Sequence, residues 1–131
     1  MKLSSVVIDS NNAEELSEFY KNLLGWQKKV YNHGENGDWI VLVNKEESTT
    51  RLVFQQLENY KKPVWPEEKD KQQQMLHLDF YSDNVDEDVN RAIECGASLA
   101  NYQSGDWKVL IDPAGHPFCI VPTRKNRIVL Q

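Results

Sequence analysis

This 131-residue chain has no surplus of positive charge: fifteen Lys and Arg stand against twenty Asp and Glu, for a net charge of −5. A basic face supplies most of the affinity for nucleic acid, so that class of partner is excluded. The one basic cluster, Arg124, Lys125 and Arg127, reads as a solvated tail. No apolar run approaches the roughly 20 residues that cross a bilayer, so no membrane partner is expected. The opening stretch Met1–Ser10 is broken at Asp9 and makes a poor secretion signal. There are only two cysteines, Cys95 and Cys119, without paired-ligand spacing. That excludes a disulfide framework and leaves two reduced thiols in a cytoplasmic protein as the expectation. What is present is a globular composition, 40% hydrophobic and 10% aromatic, in a length that fits one domain with one core.

The main internal signal is a repeat. Gly37-Asp38-Trp39-Ile40-Val41-Leu42 returns as Gly105-Asp106-Trp107-Lys108-Val109-Leu110. Its neighbours return in the same order. Each half opens with a β-rich run, Leu3–Asp9 or Met75–Tyr81, and continues into a helix with the same start signal. Asn12 with Glu15, and Asn84 with Glu87, have capping-box spacing. Leu16, Phe19, Tyr20, Leu23 and Leu24 make one apolar stripe; Val85, Val89, Ala92 and Ile93 make a thinner one. Gly25 and Gly96 stand where each helix would end.

Three strand-like segments then follow in each half. They are Gln27–His33, Asp38–Asn44 and Arg51–Leu57, then Ser98–Gln103, Trp107–Asp112 and Pro117–Pro122. Asp112-Pro113-Ala114-Gly115 has the composition of a tight turn. The expectation is therefore an α+β fold of two βαβββ modules, residues 1–58 and 75–131, joined by a polar connector over 59–74. A single such unit leaves one oily sheet face without cover. The connector carries Trp65 between Pro63 and Pro66, which suits either a stiff lid over a pocket or a linker tacked to the surface.

With Phe19-Tyr20, Leu24-Gly25 and the Asp112–Gly115 turn, this pattern resembles the vicinal oxygen chelate superfamily, the glyoxalase, bleomycin-resistance and extradiol-dioxygenase group. Arg51-Leu-Val-Phe-Gln-Gln56, the Trp65-Pro66 segment and Met75-Leu-His-Leu-Asp79 are similar to its glyoxalase-like domains. The resemblance implies a curved mixed sheet around a cavity that in the enzymes holds a divalent metal, and often a homodimer. The implied ligand positions fall at Ser5, Gln55, His77 and Cys119, with Gln55 matched to Cys119 by aligning Phe54 with Phe118. Only His77 among them is a ready ligand for a divalent ion. Cys119 would favour zinc. The expectation is thus a pocket without its metal and without another cofactor.

Other readings of these residues stay open. His77 suits a histidine bonded to Asp79 of the same strand, a ligand contact, or a general base. Cys119 suits a small buried thiol, and a nucleophile only with a lowered pKa. Trp39 and Trp107 suit either an aromatic cup or the core under each helix. The site expected from sequence is Trp39, Gln55, Trp65, His77, Trp107 and Cys119, binding a compact aromatic or cationic small molecule. The alternative is an enzyme: a metal-dependent lyase or dioxygenase with atypical ligands, or a metal-free isomerase or lyase using His77.

Overall fold

A computed structural model describes residues 1–32, 38–45, 50–72 and 74–123. The His33–Gly37 loop, most of the Lys45–Thr50 link and the basic tail lie outside the described residues. Each half has the order strand, helix, three strands: β1 (Ser5–Ser10), α1 (Ala13–Leu24), β2 (Gln27–Asn32), β3 (Asp38–Val43) and β4 (Arg51–Gln56), then β5 (Leu78–Ser82), α2 (Val85–Cys95), β6 (Ser98–Leu99), β7 (Lys108–Ile111) and β8 (Pro117–Pro122). The strands divide into two four-stranded sheets, ordered β1-β4-β3-β2 and β5-β8-β7-β6. In both, the outer pair is parallel and the rest antiparallel. The chain forms two compact units, Met1–Lys62 with Asp112–Gly115, and Pro63–Ile111 with His116–Gln131.

The helix starts repeat more fully than the capping pairs suggest. Asn12 Oδ1 accepts from the Glu15 amide at 3.0 Å, and Asn84 Oδ1 from the Glu87 amide at 3.2 Å. Each glutamate takes the asparagine side-chain amide, not its backbone N–H. The backbone N–H groups donate instead to Ser10 Oγ (2.9 Å) and Ser82 Oγ (3.1 Å). The repeated signature is therefore Ser-x-Asn-x-x-Glu, in which the serine takes the N-cap N–H that the glutamate takes in a capping box. Gly25 and Gly96 end the helices as expected.

Each sheet turns one face to its helix. Leu16, Phe19 and Tyr20 bury against Leu42, Leu52 and Phe54 in the first unit, while Val89 and Ala92 in the second cover a face with Leu110, Phe118 and Ile120. Leu42 and Leu110, at matching places in the repeat, are both 0% exposed. Ile93 departs from its expected stripe and is exposed. It sits in the last turn, where the residues that bury are the small Ala92 and the chain after the helix, Ala97.

The strand expected over Ser98–Gln103 is only two residues long. The Gln103 side chain takes over the ladder: its Nε2 donates to the carbonyls of Ala100 and Val109, and its Oε1 accepts from the Val109 amide. The Asp112–Gly115 turn is as read, with an addition. Asp112 is buried; its Oδ1 accepts from the Ala114 amide at 2.9 Å, and its Oδ2 accepts from the Tyr20 hydroxyl at 2.8 Å. Burial, then the neighbouring Asp112 carboxylate, hold the Tyr20 hydroxyl well above its usual pKa. Among the described residues, no helix is long and apolar enough to cross a membrane.

Candidate functional site

Side chains alternate across a strand, so the sheet face away from each helix is set by the pairing register. In the second unit β5 pairs with β8 so that Asp79 lies opposite Cys119, and Cys119 lies opposite Val109 of β7. This face carries a pocket of about 460 Å³ whose walls include Trp65, Trp107 and Val109 and whose polar groups are His77, Asp79 and Cys119. The volume is within the range of small-molecule sites, roughly 300–1,000 Å³.

The first unit has a counterpart. Val7 lies opposite Val53, and Val53 opposite Val41, in the same pairing pattern. That face holds a smaller pocket of about 310 Å³ lined by Ser5, Val7, Tyr31, Trp39, Val41, Arg51 and Val53. The register matches Val53, not Gln55, to Cys119. Aligning Phe54 with Phe118 shifted that match by two residues, because two phenylalanines on the helix side are interchangeable to the eye. Gln55 pairs with Asp9 and lines neither pocket.

The structure thus brings His77, Cys119, Trp65 and Trp107 together in one pocket and puts Ser5 and Trp39 in the other. Neither tryptophan packs beneath its helix. Trp107 is 38% exposed, and its six-membered ring lies against Gly105. A Cβ at Gly105 would fall 2.3 Å from that ring, and the backbone there has φ +75°. Glycine is needed on both counts, which explains the Gly105-x-Trp107 spacing. Trp65 is half-buried against Ala100, Val109 and Cys119, with Tyr102 edge-on at 6.1 Å. The connector tryptophan is thereby a fixed wall of the pocket.

Asp79, read from sequence only as a partner of His77, is itself a pocket residue. Its Oδ1 lies 3.3 Å from His77 Nε2, and both side chains are more than half exposed. Cys119 is buried beneath them. Burial, and then the adjacent Asp79 carboxylate, push its thiol up to about 11. A thiol so raised is almost wholly protonated at neutral pH and is no activated nucleophile. The His-x-Asp spacing was the available signal for Asp79, since residues two apart share a strand face.

The family resemblance implies a divalent ion, and the donors present fit one. The ligand atoms of His77, Asp79 and Cys119 all lie within 4.8 Å of one another. One nitrogen, one oxygen and one sulfur suit zinc, which would act as a Lewis acid on a bound oxygen. Of these three, His77 and Cys119 are among the four positions implied by resemblance, and Asp79 is an addition to them.

Solved structures share this architecture. A glyoxalase/bleomycin resistance protein/dioxygenase family enzyme from Burkholderia phytofirmans PsJN is 20% identical, with 93% of this chain and 98% of that one covered and a TM-score of 0.66. TnmS3, an antibiotic binding protein from Streptomyces sp. CB03234, is 19% identical over 95% and 97% of the two chains, with a TM-score of 0.63. The trypanothione-dependent glyoxalase I of Leishmania major is 14% identical over 93% and 86%, with a TM-score of 0.68. At these identities the likeness establishes the fold. No curated protein matches the chain by sequence. The family described as "Glyoxalase-like domain" matches residues 5–121, from the first residue of β1 to within one residue of the end of β8. With both modules inside that span, the chain belongs to the glyoxalase-like domain family.

Proposed function

We propose that this protein binds a compact aromatic small molecule in the pocket on the open face of the second module, without needing to transform it. The observation that carries this reading is the pair of tryptophans, Trp65 and Trp107, on a pocket that also carries His77, Asp79 and Cys119. Flat walls hold an aromatic ring by offset or edge contacts, and a few convergent polar groups orient it. TnmS3, of the same fold, is an antibiotic binding protein, so the architecture accommodates binding as a sufficient role.

The test is a titration of tryptophan fluorescence with N-methylquinolinium and 2-naphthoate, two compact aromatics of opposite charge. Saturable one-to-one quenching by at least one is expected. Trp65→Ala and Trp107→Ala should each weaken it about tenfold, the worth of roughly 1.4 kcal/mol of ring contact. Trp39→Ala, in the first module, should leave it unchanged. Equal affinity in all three variants overturns the reading.

One observation favours an enzyme instead, a lyase, isomerase or dioxygenase: the His77–Asp79 contact, which orients an imidazole as a general base would be oriented. That reading requires turnover that disappears in His77→Ala.

A further inference from the structure

Asp79 and Cys119 sit directly opposite each other on paired strands. His77 precedes Asp79 by two residues and joins them on the same pocket face. The cluster therefore follows from the register of β5 against β8 and is a property of the second module alone. At the matching places the first module has Ser5, Val7 and Val53. Two of those three are hydrocarbon.

The spacing also suits an ion. Donor atoms around tetrahedral zinc lie roughly 3.3–3.8 Å apart, given bonds of about 2.0–2.3 Å. The His77–Asp79 separation is 3.3 Å, and no pair in the cluster exceeds 4.8 Å. The remaining gap is closed by rotating His77 and Asp79, which are the two exposed members; Cys119 is fixed beneath them. Hard ions such as magnesium and calcium ask for six or more oxygens, whereas an imidazole and a thiolate select zinc among the common divalent ions.

We infer that His77, Asp79 and Cys119 form a three-ligand zinc site contained wholly in the second module, with the fourth coordination position open to the pocket between Trp65 and Trp107. Two features separate it from the four positions implied by family resemblance. Asp79 is a ligand, and neither Ser5 nor Gln55 is one. The inference shares its pocket with the binding reading above but stands on a metal titration without any organic compound.

The full chain, stripped with chelator and kept reduced, is titrated with cobalt(II) as a spectroscopic stand-in for zinc. One equivalent should give a near-ultraviolet thiolate-to-cobalt charge-transfer band and the visible bands of a four-coordinate ion, both removed by one equivalent of zinc. Cys119→Ser should abolish the charge-transfer band. Asp79→Asn and His77→Ala should each weaken zinc at least tenfold, while Ser5→Ala and Gln55→Ala keep wild-type affinity. Asp79 is exposed, so its variant does not threaten the core, and circular dichroism checks the fold of each protein. Absence of the band in folded wild-type chain overturns the inference. So does wild-type affinity in Asp79→Asn, or a loss in Ser5→Ala or Gln55→Ala. Repeating the quinolinium and naphthoate titrations on the stripped chain separates the two readings: quenching without a cobalt band defeats only the metal site, and a cobalt band without quenching defeats only the aromatic ligand.

Discussion

The open faces of the two modules are built on one plan and carry different chemistry. Trp39 and Trp107 stand at the same place, as do Val41 and Val109. Around them, Ser5, Val7, Arg51 and Val53 on one face correspond to His77, Asp79, Pro117 and Cys119 on the other. Among the described residues, Arg51 meets no carboxylate and donates to Ser4 Oγ at 2.9 Å. On the helix-side faces Leu42, Leu52 and Phe54 correspond to Leu110, Phe118 and Ile120, all buried hydrocarbon, with Lys108 in the place of Ile40. A duplicated fold keeps the face that makes its core, because core substitutions cost stability, and frees the other face for binding groups.

The largest test of that contrast lies in the conserved half of the plan. Leu42→Ala and Leu110→Ala remove matching, fully buried side chains, and each should cost about 2–5 kcal/mol in urea unfolding. A cost below about 1 kcal/mol for either one would break the picture of a shared scaffold. Gly105→Ala comes next and touches only the second face. A side chain at positive φ costs about 1–3 kcal/mol, and the Trp107 ring must leave its place, altering the near-ultraviolet circular dichroism. If the spectrum is unchanged, the ring does not rest on Gly105.

The smallest effect probes a difference between the helices. Tyr20 of α1 has Ala92 as its counterpart, counted from the capping asparagines. Tyr20→Phe should cost about 1–2 kcal/mol, because Asp112 keeps only its bond from the Ala114 amide among those of its carboxylate described above. The pH dependence has a definite sign. Unfolded, this hydroxyl ionises near its usual value of about 10, whereas burial and Asp112 hold it higher in the folded protein. Its contribution is complete below that pH and is lost as pH rises toward the folded value. Wild-type urea midpoints should therefore fall above pH of about 10, and Tyr20→Phe should flatten the fall. Some slope should persist, since burial also raises Tyr60, to about 12. An identical slope in both proteins would remove Tyr20 from the account.

The duplication, the helices and their ends were legible because they rest on local signals: capping residues, apolar spacing and glycines. The site was legible only in part. Alternation placed His77 beside Asp79 on one face, and the family resemblance put Cys119 in the same site, but that Cys119 lies opposite Asp79 is a matter of strand register, which no local pattern encodes. The same limit misaligned Gln55. β6 was overextended because Ser98–Gln103 has strand-like residues, while the Gln103 side chain, and not the backbone, makes the bonds. Trp107 was open to a core reading because aromatic residues usually bury; what turns it outward is the bare Cα at Gly105.

The Tyr20–Asp112 hydrogen bond spans 92 residues of chain. Closing so long a loop is entropically slow, whereas the β2–β3 and β7–β8 pairings join near neighbours in sequence. That bond is therefore expected to form after those pairings. On a ribosome it cannot form until Asp112 has emerged, so the first module completes its buried polar network only when nearly all of the second has been made.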